Sequence, residues 1–431
     1  MFRSIFFFTA LILIILMGNI NAATYYVDNV AGNDANTGLS TSLPWKTFAK
    51  VCNTSLASGS IVSFKCGQRF LATTSFNKSN ITVNSYGTGA RPVIDGGGGI
   101  IPTNGVTPFE LSGTNINLTG IKIVNGYNCN LSLNGTYITI ESCNIDSNAV
   151  GTGLNGNPGQ IYSDATGNHI TIRNSTISYG RGGNGYYIDG ADNVLLEYDT
   201  LNYNAQVAIR VSWGTSDGGT ADHLTVRYCV VRFNGTDPDY GGYAFQDDGI
   251  SNSNIYYNLF ESDYGAYGCL DLAFEGGTAP HDNNWYNNTF ITHGTGYAIQ
   301  INTYTSITNL VFKNNIFYCD PGTYGIYFFG STTSSNWTFN NNCYYGVSLA
   351  TTYFWHLGND RTFSSWKSLG YDANSIDGNP RFVNYAVGNY TLSSRSPAIN
   401  SGAFVGLTTD INGNAVPNPP DIGAFQHLLT N

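Results

Sequence analysis

Three carboxylates and an arginine recur at matching places in a chain otherwise poor in charge. They lie in short apolar-rich stretches that follow one another along the middle of the sequence: YYIDG, AIRVSWG, AFQDDG, CLDLAFEG and AIQIN. If Ile188, Ile209, Phe245, Leu270 and Ile299 are the inward residues of short strands, the next residue in each must face outward. That position reads Asp189, Arg210, Gln246, Asp271 and Gln300. Two residues further come Ala191, Ser212, Asp248, Ala273 and Asn302, with Trp213 beside Ser212 and Glu275 at the end of the strand that carries Asp271. His293, in THGTG, is expected at the edge of the same face. A one-residue slip would turn the whole set inward, so the expectation depends on this register.

The set supports three chemistries. With neighbouring coils ~4.8 Å apart and two residues of strand spanning ~6.7 Å, Asp248 and Asp271 come out roughly 8 Å apart. That lies in the ~6.5–9.5 Å range of an inverting glycosidase. One carboxyl, its pKa raised by burial and by its neighbour, would protonate the leaving oxygen while the other activated a water. Gln246, Glu275, Trp213, Gln300, Asn302 and His293 are then the expected substrate contacts. Alternatively, Arg210, flanked in this alignment by Asp189 and Asp271, would abstract the proton α to a uronate carboxylate. A Ca²⁺ held by Asp189, Asp248 and Asp271 would neutralise that acid. No EF-hand or other dedicated calcium loop is present, and an arginine is a poor base. In the third reading the chain is a non-catalytic glycan-binding or cell-surface structural protein, in which the aromatics bind and the charges simply pair between coils. Asp192, Asp217, Asp222 and Asp237 then form turns beside Gly or Asn, and His169 and His223, each ahead of an apolar run, are turn residues.

What would position such a face is a repeat. Segments that alternate apolar and mixed residues end at Ile123, Ile145, Ile177, Leu201, Val231, Phe260, Phe290, Phe317 and Tyr344. Their spacing runs from 22 (Ile123 to Ile145) to 32 (Ile145 to Ile177), the range of stacked-repeat architectures. The period of two marks strands with one buried face. Two residues before the endpoints stand Cys143, Ser175, Asp199, Cys229, Asn258, Asn288, Asn315 and Asn342. The last four are an Asn column expected in the left-handed region and bonded coil to coil. Several short strands per coil, Asn/Gly turns and no helical spacing predict an all-β parallel β-helix over residues 100–345.

Only 11% of residues are charged and the formal net charge is −10, which argues against broad binding to nucleic acid or to anionic membranes. Abundant Tyr and Trp with few charges suit a carbohydrate partner, although most aromatics are expected to fill the coils. Residues 1–22 have the n-region (Arg3), apolar h-region and small residues of a secretory signal, so the chain is expected to be secreted, with no membrane association once the signal is cut. Of eight cysteines, Cys52 and Cys66 are close enough in sequence to pair; Cys143 and Cys229 are three coils apart, too far to bond. Residues 23–99 are expected to form an N-terminal cap and first coil, with a short amphipathic helix from Pro44 carrying Trp45, Phe48 and Val51. Residues 346–431 are expected to form a C-terminal cap containing a short helix at FSSWKSLG. A monomer is expected.

At both ends the sequence is similar to a known group. YYVDNVAGNDANTG, PWKTFAKV and ITVNSYGTGARPVIDG resemble the opening of secreted right-handed parallel β-helix proteins of the pectin-lyase-like superfamily. WKSLGYDANSIDGNPRFVNYAVGNYTLSSRSPAINSGA and DINGNAVPNPPDIGAFQH resemble their bacterial C-terminal extension. The resemblance implies a right-handed coil, secretion and a polysaccharide or oligosaccharide partner. Relatives include polysaccharide lyases, glycoside hydrolases, epimerases and proteins with no known reaction, so it does not choose among the chemistries. QDDG resembles the Asp-Asp pair of polygalacturonase-type hydrolases, but the Asn-Thr-Asp and Gly-His-Gly motifs that accompany it there are absent. An arginine base with Asp-bound calcium is the pattern of pectate-lyase-type β-helices.

Overall fold

The computed structural model describes residues 21–97, 105–147, 159–181, 183–212, 221–235, 242–262, 266–273, 279–294, 296–302, 307–320, 324–329, 336–346, 354–356 and 358–428. Of residues 1–22, expected to be a signal segment, only the last two are among them. Short strands stack coil on coil into three long sheets of 12, 12 and 11 strands, called A, B and C here. Each coil visits A, then B, then C, and each strand pairs in parallel with its counterpart one coil away, giving a right-handed parallel β-helix. The strands form because alternate residues are apolar and meet inside the coil: Ile138 and Ile140 stack on Ile170 and Ile172 and are fully buried. Towards the C-terminal end the interior fills with aromatic columns. Phe260, Phe290, Phe317 and Tyr344 are stacked with centroids 5.2, 5.1 and 5.0 Å apart.

The turn from A to B carries the Asn column. Asn288 Nδ2 donates to Ile255 O (2.9 Å) and Asn315 Oδ1 (3.1 Å), while its Oδ1 accepts from Asn258 N (3.1 Å) and Asn258 Nδ2 (3.0 Å). Asn315 repeats the pattern onto Asn342. The left-handed residue, however, is not the ladder Asn but the one before it: Tyr257, Asn287, Asn314 and Asn341 have φ between 51° and 61°. The ladder side chain must point inward to reach main-chain groups of two coils, and its predecessor absorbs the turn. Earlier in the column Asp199 stands in for Asn; it accepts from Ser175 N, and burial pushes its carboxyl up to about 8. His223 is a turn residue as expected, with φ of 58°, whereas His169 lies inside the strand Asn168–Arg173, where it takes a φ of 54°.

Sheet A begins at Thr24–Val27 and Ile61–Lys65, so coil strands are already present inside the segment expected to cap the solenoid. The capping helix α1 spans Phe48–Asn53, starting after Thr47, whose side chain accepts from Lys50 N. It buries Phe48 and Val51, while Trp45 stacks on Tyr25 at 4.5 Å. At the other end α2 (Phe363–Lys367) buries Trp366 against Phe354 and Phe339. Beyond it the chain runs back along the B side as far as Tyr228, whose hydroxyl meets Thr409 Oγ1 at 2.8 Å. The eight cysteines, all described, are free thiols, Cys52 and Cys66, which were close enough in sequence to pair, included; burial pushes the Cys52 thiol on α1 up to about 12. Among the described residues no helix is long and apolar enough to cross a membrane.

Candidate active site on the outer face of sheet C

The site strands are Tyr186–Asp189, Ile209–Ser212, Tyr243–Asp247, Gly268–Ala273 and Tyr297–Asn302, successive members of sheet C. Their inward residues, Ile188, Val211, Phe245, Leu270, Leu272, Ile299 and Ile301, are fully buried, which leaves the intervening positions on the outer face. Pairing down that face runs Tyr162, Tyr187, Arg210, Gln246, Asp271, Gln300, Tyr327 and Trp355. Four of the five residues expected in this column are in it.

Asp189 is the exception. It pairs with Ser212, not Arg210, because YYID enters the sheet two residues later than the alignment assumed. Tyr187 takes the place beside Arg210, and Arg210 is therefore not flanked by Asp189 and Asp271. The two-residue shift keeps Asp189 on the outer face but moves it to the second column, where its Oδ1 accepts from Ser212 Oγ (2.7 Å) and its Oδ2 from Tyr162 Oη (3.1 Å). Asp248, one residue past the paired Val211–Asp247 position, donates its N–H to Val211 O and so sits in the same column.

Arg210 Nη2 is 3.6 Å from Asp248 Oδ2, with the guanidinium 5.3 Å from the centre of the Tyr187 ring. Gln246 Nε2 reaches Asp271 Oδ2 at 3.5 Å, and Tyr243 Oη donates to Gln300 Oε1 at 3.2 Å. Asp248 and Asp271, expected to face outward, are only 1% and 4% exposed. Asp247 turns inward, its Oδ1 accepting from Gly249 N and Ile250 N to close the turn. Burial, with the charge of Asp248 adding to it, pushes its carboxyl up to about 7. The Tyr162 and Tyr243 hydroxyls are held protonated far above the usual tyrosine range, by burial first and then by Asp189 and Asp271 respectively.

The remaining expectations divide. Trp213 and Glu275 lie outside the described residues, and Asn302 is described only as backbone at the end of its strand. His293 is not on this face: it follows the sheet B strand Thr289–Thr292 and contacts Glu261 (3.1 Å) and Asp320 (3.0 Å). Among the described residues no three His, Cys, Asp or Glu side chains converge to hold a metal, so the calcium set of Asp189, Asp248 and Asp271 is not assembled. Arg210 lies against Asp248, and Ser212 bonds Asp189 instead. The sequence reading missed Tyr162, Tyr187, Tyr243, Tyr327 and Trp355, because aromatics were expected to fill the interior. Their signal was available, since Tyr187 and Tyr327 stand next to inward isoleucines in YYIDG and IYFFG.

No family model and no curated protein sequence matches the chain. Solved structures do. The pectate lyase Pel9A superposes with a TM-score of 0.60 at 16% identity, covering 94% of this chain and 98% of that one. XylC in complex with xylose gives 0.52 at 10% identity, with 94% and 98% covered. The GH136 lacto-N-biosidase from Eubacterium ramulus gives 0.53 at 14% identity over 75% of this chain, and the match spans 64% of its own length. At these identities the likeness is one of fold: the chain is a right-handed parallel β-helix of the kind seen in pectate lyase.

Proposed function

We propose that the chain is an exported carbohydrate-active enzyme that hydrolyses a polysaccharide or oligosaccharide on the outer face of sheet C. The observation that carries this is the clustering of Asp189, Arg210, Asp248 and Asp271 on adjoining coils of one face, bordered by tyrosines. Structural neighbours named as a pectate lyase and a lacto-N-biosidase support a glycan substrate without choosing the reaction.

The two acids are assigned different roles. Asp248, beside Arg210, is assigned the base that takes a proton from water, and Asp271, beside the amide of Gln246, the acid. Asp271 then delivers its proton to the glycosidic oxygen as the bond to the anomeric carbon breaks, while Asp248 deprotonates the attacking water. Arg210 is held against Asp248 and over Tyr187, and a guanidinium is a poor base, which weighs against its serving as the base of a β-elimination.

The burial of Asp248 and Asp271 favours a second reading, a non-catalytic glycan-binding or cell-surface structural protein in which the acids only pair. Incubation with a panel of neutral and acidic polysaccharides, with and without EDTA, separates the readings. New reducing ends without an ultraviolet-absorbing unsaturated product report hydrolysis. The unsaturated product, lost in EDTA, would move the assignment to a calcium-assisted lyase. Binding with neither product would leave the non-catalytic reading.

A further inference from the structure

The outer column of sheet C differs on its two sides of the acids. Towards the N-terminal end, Tyr162 and Tyr187 are tied into the polar network. Their hydroxyls bond Asp189 and Ser212, and their rings meet edge to face at 62°. Towards the C-terminal end, Tyr297, Tyr327 and Trp355 form a continuous run of rings. Tyr297 and Tyr327 are 4.6 Å apart at 30°, and Tyr327 and Trp355 are 5.9 Å apart at 16°. Nearly parallel rings with centroids as far apart as those of Tyr327 and Trp355 are offset from one another rather than in full face contact. All three residues are half-buried.

We infer that Tyr327 and Trp355, backed by Tyr297, form a sugar-stacking ledge for a glycan chain that runs along the solenoid axis towards its C-terminal end. This rests on the reading of sheet C as the substrate face. Asp271, Gln300, Tyr327 and Trp355 occupy successive coils, which places the two outer rings roughly 10 and 14 Å from the acid at ~4.8 Å per coil. Two to three pyranose units bridge that distance. The apolar faces of those sugars would lie on these rings, while Gln300, fixed by Tyr243 Oη, offers its amide N–H₂ to the hydroxyls in between. The substrate class is therefore an oligomer or polymer with several units on this side of the cleaved bond, not a disaccharide.

The test is hydrolysis of an oligosaccharide series of increasing length by the full chain and by Trp355→Ala, Tyr327→Ala and Trp355→Phe. The series is made from whichever polysaccharide the wild type cleaves. Both alanine variants should raise KM ten-fold or more for long oligomers and leave kcat and the shortest cleavable oligomer nearly unchanged, with Trp355→Phe restoring most of the loss. Equal KM values for wild type and folded alanine variants at every length would overturn the ledge while leaving the enzyme assignment standing. A wild type that neither cleaves nor binds any glycan in the panel would overturn both. If an alanine variant melts early, binding of the long oligomer to Trp355→Phe and to Trp355→Leu, which keeps bulk without a ring, decides: equal affinity overturns the ledge.

Discussion

Two clusters of carboxylates with a cation lie on outer faces of this solenoid, and they are built differently. On sheet B, Glu261 is closed on every side: Oε2 accepts from Arg232, and Oε1 meets His293 (3.1 Å) and Tyr390 Oη (2.7 Å). His293 in turn meets Asp320, which accepts from Tyr385 Oη at 2.9 Å. Both tyrosines belong to the C-terminal extension, so the cluster fastens that segment to the coils. On sheet C the corresponding contacts, Arg210 with Asp248 and Gln246 with Asp271, are stretched to 3.6 and 3.5 Å. A tight buried network of this kind, closed by two tyrosines of the C-terminal extension, fixes one geometry. Charge clustering alone did not distinguish the two.

The sharpest way to break this contrast is to neutralise each cluster in turn. Asp271→Asn and Asp248→Asn should each lower kcat by ~10²–10⁴-fold with an unchanged melting temperature, since proton transfer is lost and shape is kept. Steady-state kinetics on the cleaved glycan reads this, and full activity in both variants would eliminate the acid pair.

Next in size is a change that touches neither cluster but the frame that holds both. Asn288→Leu leaves Asn258 N and Ile255 O without their side-chain partners inside the coil. Two orphaned main-chain groups at ~1–3 kcal/mol each suggest a loss of about 4 kcal/mol in a denaturant titration. Glu261→Ala should then cost about 3 kcal/mol, because Arg232 and His293 are left facing each other beneath the extension. It should leave turnover per folded molecule as it was. A large loss of activity in a folded Glu261→Ala protein would mean that sheet B, not sheet C, carries the chemistry.

The frame was legible because its signal is repeated. Asn258, Asn288, Asn315 and Asn342 recur at one place, and an apolar alternation sustained over nine endpoints has one good explanation. The site was legible only in part, and the reason is periodicity itself. In YYIDG both Tyr186 and Ile188 face inward, so a shift of two preserves the pattern and moves Asp189 to another column. Period two also says nothing about which sheet a residue borders, which is how His293 came to be assigned to the wrong one. Its partners are distant in sequence as well: Tyr385 lies 92 residues away, and no local pattern announces it. Asp247 was readable because a QDDG turn needs one carboxylate for its own N–H groups.

The smallest expected effect concerns pH, and it again separates the two clusters. Against the cost of burial, Glu261 and Asp320 hold the His293 imidazolium, so its pKa is raised above the ordinary 6.5. Its contribution to stability is therefore complete below the unfolded pKa and is lost as pH rises through the folded one. Glu261 is also buried, but its bonds to His293, Arg232 and Tyr390 outweigh that and lower its pKa from 4.5; its contribution is complete above that value and fades as pH falls through the lowered one. The fastening of the extension should thus be strongest between about 4.5 and 6.5, the two unperturbed values, and weaken on either side. Melting temperatures measured from well below pH 4.5 to well above pH 6.5, for wild type and for His293→Gln, read the effect. The variant should lose the decline on the alkaline side and keep the one on the acid side. An identical profile in the two proteins would show that His293 carries no proton-linked stability.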